Sequence, residues 1–302
     1  MASVGLAIPT AAPDTEPNTP LEFGRRAEAA GAGSVWVMDR IVFDNADPLI
    51  TLGALAGITT RVRLGTCVLL STLRPPTVLA KMIATLDSMT GGRMTIGIGV
   101  GSRADDFAAA GTPYEHRGGR AEELVQIMRL AWSGGDVRFN GKHYQVDVGH
   151  IGPPPVQQHL PIYFGGGAET AMRRIARIGD GYIGSSSGGP EGFREKWGQI
   201  TRHAEAIGRD PATITPAALV YCCVDDDRAR ANELATAYFT NYYGPGRRDT
   251  AGFMLGTPDE CVRVAEGYFA AGVQTLIVGS VTADIGRFER LCNEVLPRLP
   301  RE

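Results

Sequence analysis

The sequence has few of the features that mark membrane proteins or nucleic-acid-binding proteins. It contains no apolar run near the roughly 18 residues that a membrane-spanning helix needs. Lys and Arg number 30 against 33 Asp and Glu, which gives a net charge of −3, and no basic stripe stands out. Neither a nucleic acid nor a membrane is therefore an expected partner. These absences leave a small-molecule substrate as the expected ligand.

Cysteine is scarce and follows no disulfide or metal-binding pattern. The 5 cysteines are odd in number and lack CxxC spacing. Cys222 and Cys223 are adjacent on a predicted strand, so their side chains point to opposite faces and are poor disulfide partners. The first residues also lack the basic and apolar segments of a signal peptide. We therefore expect reduced thiols and a cytoplasmic location.

The overall composition is that of a globular protein. Apolar residues make up 43% of the 302 residues and charged residues 21%, which is enough for a large buried core. The chain shows no composition shift, long linker or short internal repeat that would divide it. We therefore expect one domain over residues 1–302, since α/β barrels of this length are commonly single domains.

Residues 63–102 contain the clearest structural pattern. Residues 63–71 are a short apolar run with β-branched side chains, which is typical of a strand buried on both faces. The prolines at 75–76 introduce a helical pattern, and the glycines at 91–92 end it. Residues 94–101 predict a second strand. Because parallel strands need a crossover of this kind, the stretch predicts one strand–helix–strand unit.

Strands alternate with helices along the rest of the chain. This alternation predicts a (β/α)8 TIM barrel, with an open doubly wound sheet as the competing layout. Asn140 and Gly141 lie between two short alternating runs and predict a β-hairpin at 137–146, placed outside the main sheet. The predicted barrel strands are residues 4–8, 34–38, 63–71, 94–101, 160–164, 181–184, 213–224 and 275–278.

The carboxyl ends of the strands carry the chemistry in a barrel. This sequence places mostly glycine, hydroxyl and apolar residues there, together with one carboxylate–guanidinium pair, Asp39 and Arg40. None of the 5 histidines falls at these ends, which argues against a metal site and against a Ser-His-Asp triad. A bound organic cofactor, which brings its own chemistry, is therefore favoured.

Two glycine-rich segments end predicted strands. Gly97, Gly99 and Gly101 leave one face of the fourth strand bare, which allows a flat ligand or another backbone to approach closely. Gly165–Gly167 connects a strand to a helix, where free N–H groups and the helix dipole favour a phosphate. The same loop is equally well explained as a plain glycine-rich turn.

The polar residues at the strand ends also have structural explanations. Asp39 is as readily explained by a pair with Arg40, or by a cap on the next turn, as by a functional role. Cys67 is more typical of a small core residue than of a nucleophile. Residue types alone do not separate these alternatives.

Several segments together resemble the bacterial luciferase-like monooxygenase family, and specifically its branch that depends on the deazaflavin coenzyme F420. The segments are SVWVMDR at 34–40, RLGTCVL at 63–69, PTVLAKMIATLDSMTGGRMTIGIGVG at 76–101, FAAAGTPYEHRGGRAEELVQIMRLAW at 107–132 and PIYFGGGAETAMRRIARIGDGYI at 161–183. The resemblance implies a TIM barrel with a flavin or deazaflavin across its mouth.

The resemblance also implies roles for individual residues. A cis peptide bond at Cys67–Val68 would support the ring system, and Asp39 would lie near its polar edge. Asp39, Arg40 and Ser102 would take part in the chemistry. The residues expected to bind the cofactor are Asp39, Cys67, Val68, Gly99, Gly101 and Ser102 around the ring, and Gly165, Gly166, Gly167 and Ala168 around the phosphate.

The sequence departs from the sugar-phosphate dehydrogenases of this branch at two positions. Those enzymes carry His and Glu where this chain has Arg40 and Ser102, so oxidation of glucose 6-phosphate is not expected. Arg40 is instead available to bind an anionic substrate or to polarise a carbonyl. Residues 44–48, 114–117 and 244–254 are expected to form the substrate pocket.

The sequence is compatible with three functions. The first is an F420-dependent oxidoreductase that exchanges a hydride at C5 of the deazaflavin with an organic substrate. The second is a monooxygenase that uses flavin mononucleotide (FMN) reduced by a separate flavin reductase. The third is a protein that binds such a cofactor without turnover. Because family members are often dimers, the resemblance also implies a homodimer.

Overall fold

The computed structural model describes residues 2–13, 15–244 and 249–300. Strands and helices alternate along most of the chain. The strands are β1 (Ser3–Ala7), β2 (Ser34–Val37), β3 (Arg63–Leu70), β4 (Met94–Gly99), β5 (Asp136–Asn140), β6 (Gln145–His150), β7 (Ile162–Gly165), β8 (Gly181–Ser185), β9 (Thr215–Val224), β10 (Met254–Gly256) and β11 (Thr275–Ser280). The helices are α1 (Thr19–Ala29), α2 (Pro48–Ala56), α3 (Pro76–Thr90), α4 (Ala104–Ala109), α5 (Arg117–Trp132), α6 (Glu169–Ile178), α7 (Gly189–Ala206), α8 (Arg228–Tyr243), α9 (Pro258–Ala270) and α10 (Ile285–Arg290).

The main sheet is a closed parallel barrel. Its strands follow the order β9-β11-β1-β2-β3-β4-β7-β8, and a further pairing between β8 and β9 closes the ring. This confirms the predicted TIM barrel and excludes the open doubly wound sheet. The hairpin β5-β6 forms a separate antiparallel sheet, as the sequence predicts.

Side chains on alternate positions of each strand serve two different cores. On β2, Val35 and Val37 face the helices and belong to the larger cluster, which lies between the sheet and the helices. Trp36, between them, belongs to the smaller cluster inside the barrel, and Cys67 of β3 and Leu219 of β9 lie in that cluster too. The interior is therefore filled with side chains, and an open cavity can exist only at the mouth.

Local sequence signals account for the crossover helix α3. Pro76 occupies its first turn, where the missing N–H costs nothing, and Gly91 ends it with a left-handed φ of 66°. The helix α9 carries a capping box in which Thr257 and Glu260 bond each other's backbone N–H groups. Each signal was readable in the sequence.

Short elements differ from the sequence prediction. The strand β10 is not among the predicted strands; it pairs with the end of β9, past the residues of β9 that pair with β8. The helix α4, of 6 residues, was also not predicted. Near the end of the chain, the helix α10 is followed by a π turn at Leu291–Val295 and a 3-10 turn at Leu296–Arg298. Among the described residues, no helix has both the length and the apolar character that a membrane crossing requires.

Candidate functional site

A cavity of about 540 Å³ opens at the carboxyl ends of the barrel strands. This volume lies within the range of small-molecule and cofactor sites. All but one of the residues predicted for the site line its wall; the exception is Ala168, which precedes α6 as its N-cap. The predicted residues in the wall are Asp39, Arg40, Cys67, Val68, Gly99, Gly101, Ser102, Gly165, Gly166 and Gly167.

Val68 lies at an irregularity in β3 and forms part of the cavity wall. The Cys67–Val68 peptide bond is cis, and the pairing of β3 with β4 slips between Thr66 and Leu69. A Cβ atom on Gly99 would lie 2.6 Å from a methyl carbon of Val68, and one on Gly165 would lie 3.0 Å from its other methyl carbon. The two glycines therefore make room for the Val68 side chain, which gives the cavity an apolar face.

The bare glycine face of β4 is partly filled by the neighbouring strand. A Cβ on Gly97 would lie only 2.1 Å from the carbonyl oxygen of Thr66. Gly97 is not part of the cavity wall, whereas Gly99 and Gly101 are. Both expectations for this face therefore apply, at different positions. The backbone of β3 approaches closely at Gly97, and space for a ligand begins at Gly99.

Asp39 is held by Arg74, not by the adjacent Arg40. Its fully buried carboxylate accepts hydrogen bonds from Arg74 Nη1 at 2.6 Å, from Arg74 Nη2 at 3.2 Å and from the Leu70 N–H at 2.8 Å. Arg74 also contacts Asp47 at 3.1 Å. Three of the roughly four lone-pair sites of the Asp39 carboxylate are therefore occupied, and one on Oδ1 is left for a further donor.

The two neighbouring carboxylates, Asp39 and Asp47, stabilise the positive charge of Arg74. Burial on its own lowers the pKa of the guanidinium, but the hydrogen bond and charge of Asp39, with the charge of Asp47, outweigh that effect and raise the pKa. Arg74 therefore remains a cation, and the pair is an ion pair with bidentate geometry.

Arg40 lies in the cavity wall with its donors directed at protein acceptors. Nε donates to Asp106 at 3.0 Å, Nη1 to the Tyr242 carbonyl at 3.1 Å and Nη2 to the Val42 carbonyl at 2.9 Å. Its side chain is 6% exposed, and that of Asp106 is 1% exposed. The guanidinium is therefore committed to linking the end of β2 to α4 and α8, and little of it remains for an anionic substrate.

Ser102 and Cys67 differ in what they offer a ligand. Ser102 is exposed at the cavity mouth, and its carbonyl accepts a hydrogen bond from the Tyr114 hydroxyl at 3.2 Å. Cys67 is buried, and desolvation raises the pKa of its thiol far above the ordinary value. Cys67 is therefore a neutral thiol at physiological pH and not a nucleophile.

Aromatic residues that the sequence analysis did not select complete the wall. Tyr242 and Tyr243, at the end of α8, line the cavity, and the Tyr243 hydroxyl lies 2.5 Å from that of Tyr221. Burial raises the pKa of Tyr242 and of Tyr221 well above the ordinary value, so both are neutral hydroxyls. Their position depends on how α8 packs on the barrel, which sequence periodicity does not specify.

The described residues of the three segments expected to form the substrate pocket do not line the cavity. In residues 44–48, Asp47 caps α2 through the N–H groups of Leu49 and Ile50. In residues 114–117, Arg117 donates to the Gly101 carbonyl at 3.0 Å. Both segments therefore support the wall from outside. The segment 244–254 falls partly outside the described residues, since 245–248 are not included.

The glycine loop contributes only main-chain atoms to the cavity wall. Gly165–Gly167 lines the wall, and α6 begins directly after it without any side-chain cap. Its first N–H groups therefore have no side-chain acceptor. Within the described residues, no group of three or more His, Cys, Asp or Glu side chains is arranged to hold a metal ion.

Sequence comparison finds related proteins over most of the chain. The model of the luciferase-like monooxygenase family matches residues 4–275. An F420-dependent glucose-6-phosphate dehydrogenase of Kineococcus radiotolerans is 33% identical over 238 residues, covering 76% of this chain and 70% of the relative. An uncharacterised protein of Mycobacterium tuberculosis is also 33% identical, over 167 residues; the match covers 55% of this chain, and the chain spans 59% of that relative's length.

Solved structures share the same fold. An F420-dependent secondary alcohol dehydrogenase superposes with a TM-score of 0.85 at 23% identity, covering 99% of both chains. The F420-dependent tetrahydromethanopterin reductase of Methanopyrus kandleri gives a TM-score of 0.81 at 22% identity with the same coverage. The oxygenating component of a Baeyer–Villiger monooxygenase of Pseudomonas putida in complex with FMN gives 0.80 at 19% identity, covering both chains fully. At these identities the likeness concerns the fold.

Proposed function

This chain belongs to the luciferase-like monooxygenase family, and from that premise we propose that it is an oxidoreductase dependent on the deazaflavin coenzyme F420. The proposed reaction is hydride transfer between C5 of the cofactor and a small organic substrate. Support comes from the Kineococcus relative, whose name states F420 dependence and which is 33% identical over 76% of this chain.

The observation that carries the proposal is the order of groups around the barrel mouth. Asp39 follows β2, Val68 projects from β3, and Gly165–Gly167 follows β7, two strands further round. A flat ring system fits against the apolar face of Val68. An anionic tail fits the glycine loop, which carries no side chains of its own and precedes the α6 N–H groups that favour negative charge.

The chain's own residues would orient the ring and shield it from water. The bound cofactor would supply the hydride donor or acceptor at C5. Asp39, fixed by Arg74, has one Oδ1 lone pair with which to accept a hydrogen bond from a ring N–H. Tyr242 and Tyr243 add aromatic surface to the cavity wall, and Ser102 is an exposed residue at the mouth, where a substrate would meet it.

A sugar phosphate is not the proposed substrate. Arg40 and Ser102 stand where the resemblance implies the His and Glu of the sugar-phosphate dehydrogenases. Arg40 donates to Asp106 and to two main-chain carbonyls, so it is in no position to act as an acid or base. The proposed substrate class remains a small organic molecule.

The test is equilibrium binding of oxidised F420 and, separately, of FMN, followed by fluorescence. We expect tight binding of F420 and weaker binding of FMN. The reverse order would favour an FMN-dependent monooxygenase served by a separate reductase, since the glycine loop also suits the FMN phosphate. Binding of neither would refute the cofactor proposal.

The paired state of Asp39 and Arg40 favours one alternative, a cofactor-binding protein without turnover. A substrate screen with the cofactor-loaded protein, together with Asp39→Ala and Arg40→Ala, separates it from the enzyme. Turnover of a screened substrate that these variants lose at saturating cofactor supports the enzyme. Weaker cofactor binding in the variants, with no turnover of any screened substrate by the unmodified protein, supports the carrier.

We also propose that the chain forms one domain and acts as a homodimer. Apolar side chains are exposed on adjacent helices: Ile50 of α2 is 71% exposed, and Val78 and Met89 of α3 are 52% and 62% exposed. A second copy covering this face would remove them from water. Light scattering should give twice the chain mass, and Met89→Glu should shift it toward the monomer; a monomeric unmodified protein would refute the dimer.

A further inference from the structure

Lys196 extends from the helix α7 toward the glycine loop Gly165–Gly167. It occupies the first half of α7, about thirty residues beyond the loop in the chain. A Cβ atom on Gly167 would lie 3.4 Å from Lys196 Cε and 3.6 Å from its ammonium nitrogen. The end of the lysine side chain therefore borders the space beside Gly167 that a side chain at this position would occupy.

The Lys196 ammonium has no protein counter-ion among the described residues. The nearest helix to the loop, α6, carries Glu169 in its first turn, but this carboxylate bonds Arg173 at 3.0 Å and His203 at 3.2 Å. By contrast, Lys81 donates to the Gly152 carbonyl at 2.6 Å. Lys196 is also partly buried, as expected for a lysine whose aliphatic stem packs along the protein surface.

The surroundings of Lys196 match the needs of an anion. The ammonium carries three donors and a compact charge, which is how lysine binds phosphate groups. The loop beneath it supplies main chain without side chains, so an anionic group could reach both at once. We infer that Lys196 binds the phosphodiester of the cofactor side chain. This inference rests on the proposed function and adds to it the residue that supplies the positive charge.

Cofactor fragments isolate this contact. The deazaflavin precursor FO has the ring and ribityl chain without the phosphodiester, F420-0 adds the phospholactyl group, and complete F420 adds glutamates. Comparing F420-0 with FO measures the phosphodiester alone, and comparing F420 with F420-0 measures the glutamates.

The experiment titrates Lys196→Ala with all three probes by fluorescence, with Lys142→Ala as the control. Lys142 is an exposed lysine on the hairpin turn. We expect Lys196→Ala to weaken F420 and F420-0 binding by roughly tenfold to a hundredfold, the range for one hydrogen bond to a charged group, and to leave FO binding unchanged. Lys142→Ala should change none of the three affinities.

A second readout uses the small number of lysines in the chain. The sequence contains only Lys81, Lys142 and Lys196, so acetylation followed by mass spectrometry resolves each one. F420-0 should protect Lys196 and leave Lys81 and Lys142 as reactive as before, whereas FO should protect none of them.

Each contrary result has a distinct meaning. Equal weakening of FO and F420-0 would reduce Lys196 to a structural role, and unchanged F420-0 affinity would remove it from the site. Weakening of F420 alone would move its contact to the glutamates and overturn the phosphodiester assignment. Failure of the unmodified protein to bind FO or F420 would instead refute the proposed function, and the inference would fall with it.

Discussion

Removal of Arg74 should destabilise the protein more than removal of the charge of Asp39. In Arg74→Met, the Asp39 carboxylate keeps only the Leu70 N–H as a donor while remaining fully buried. Breaking a buried ion pair from one side costs about 3–5 kcal/mol, because the remaining charge is left uncompensated. We expect a loss of that size in the free energy of unfolding.

The opposite substitution leaves no orphaned charge. In Asp39→Asn, Arg74 keeps Asp47 at 3.1 Å and partial access to solvent, with 14% of its side chain exposed. The expected loss is about 1.5–3 kcal/mol, the worth of hydrogen bonds to a charged group. In the double variant the buried site holds no unpaired charge, so its loss should be smaller than the sum of the two single losses.

Urea unfolding of the four proteins, followed by fluorescence and circular dichroism together, measures these differences. Arg173→Met is the control, because both members of its pair with Glu169 are exposed, at 67% and 53%, so breaking the pair should leave the free energy of unfolding nearly unchanged. A larger loss for Asp39→Asn than for Arg74→Met would refute the reasoning. So would strict additivity in the double variant.

Gly97→Ala should lower the free energy of unfolding by about 1–3 kcal/mol, and with it the urea midpoint, because the added carbon would meet the Thr66 carbonyl oxygen at 2.1 Å; an unchanged midpoint would contradict this. The hydrogen bond from Arg230 holds the pKa of Asp225 well below its ordinary value, so this carboxylate stabilises the fold above about pH 4, the pKa of an unfolded Asp. Asp225→Asn should therefore lose stability at pH 7, and the difference from the unmodified protein should shrink as the pH falls through the lower folded value. Burial raises the pKa of Cys223 to about 11, so about one thiol in a thousand is ionised at pH 8. The native protein should react slowly with a thiol reagent, and all 5 cysteines should react after denaturation.

The barrel could be predicted because its elements are long and regular. The helix α5 is 16 residues long, and α3 carries both a starting proline and a terminating glycine. The strand β10 has only 3 residues, and the residues of β9 that it pairs with lie 32 positions earlier in the chain (254 minus 222), so no local pattern marks it. Regular periodicity is a local property, whereas a short added strand depends on tertiary pairing.

The positions of the site residues could be predicted, but their partners could not. A strand end puts Asp39 and Arg40 at the barrel mouth whatever they contact, because parallel strands end at one face. The choice of Arg74 for Asp39 spans 35 residues, and that of Asp106 for Arg40 spans 66. Both depend on how the segments after β3 and β4 turn back, which one sequence does not reveal.

The charged pairs at the mouth act together in a way that bears on the chemistry. Arg74 follows β3 and binds Asp39 after β2, while Asp106, after β4, binds Arg40. The segments after three neighbouring strands are thereby joined by buried ion pairs. A group that only orients a ligand must be held rigidly, whereas a general acid or base must be free to exchange a proton with the substrate. Fully paired charges therefore suit a site in which a bound cofactor carries the reaction and the protein supplies a fixed frame.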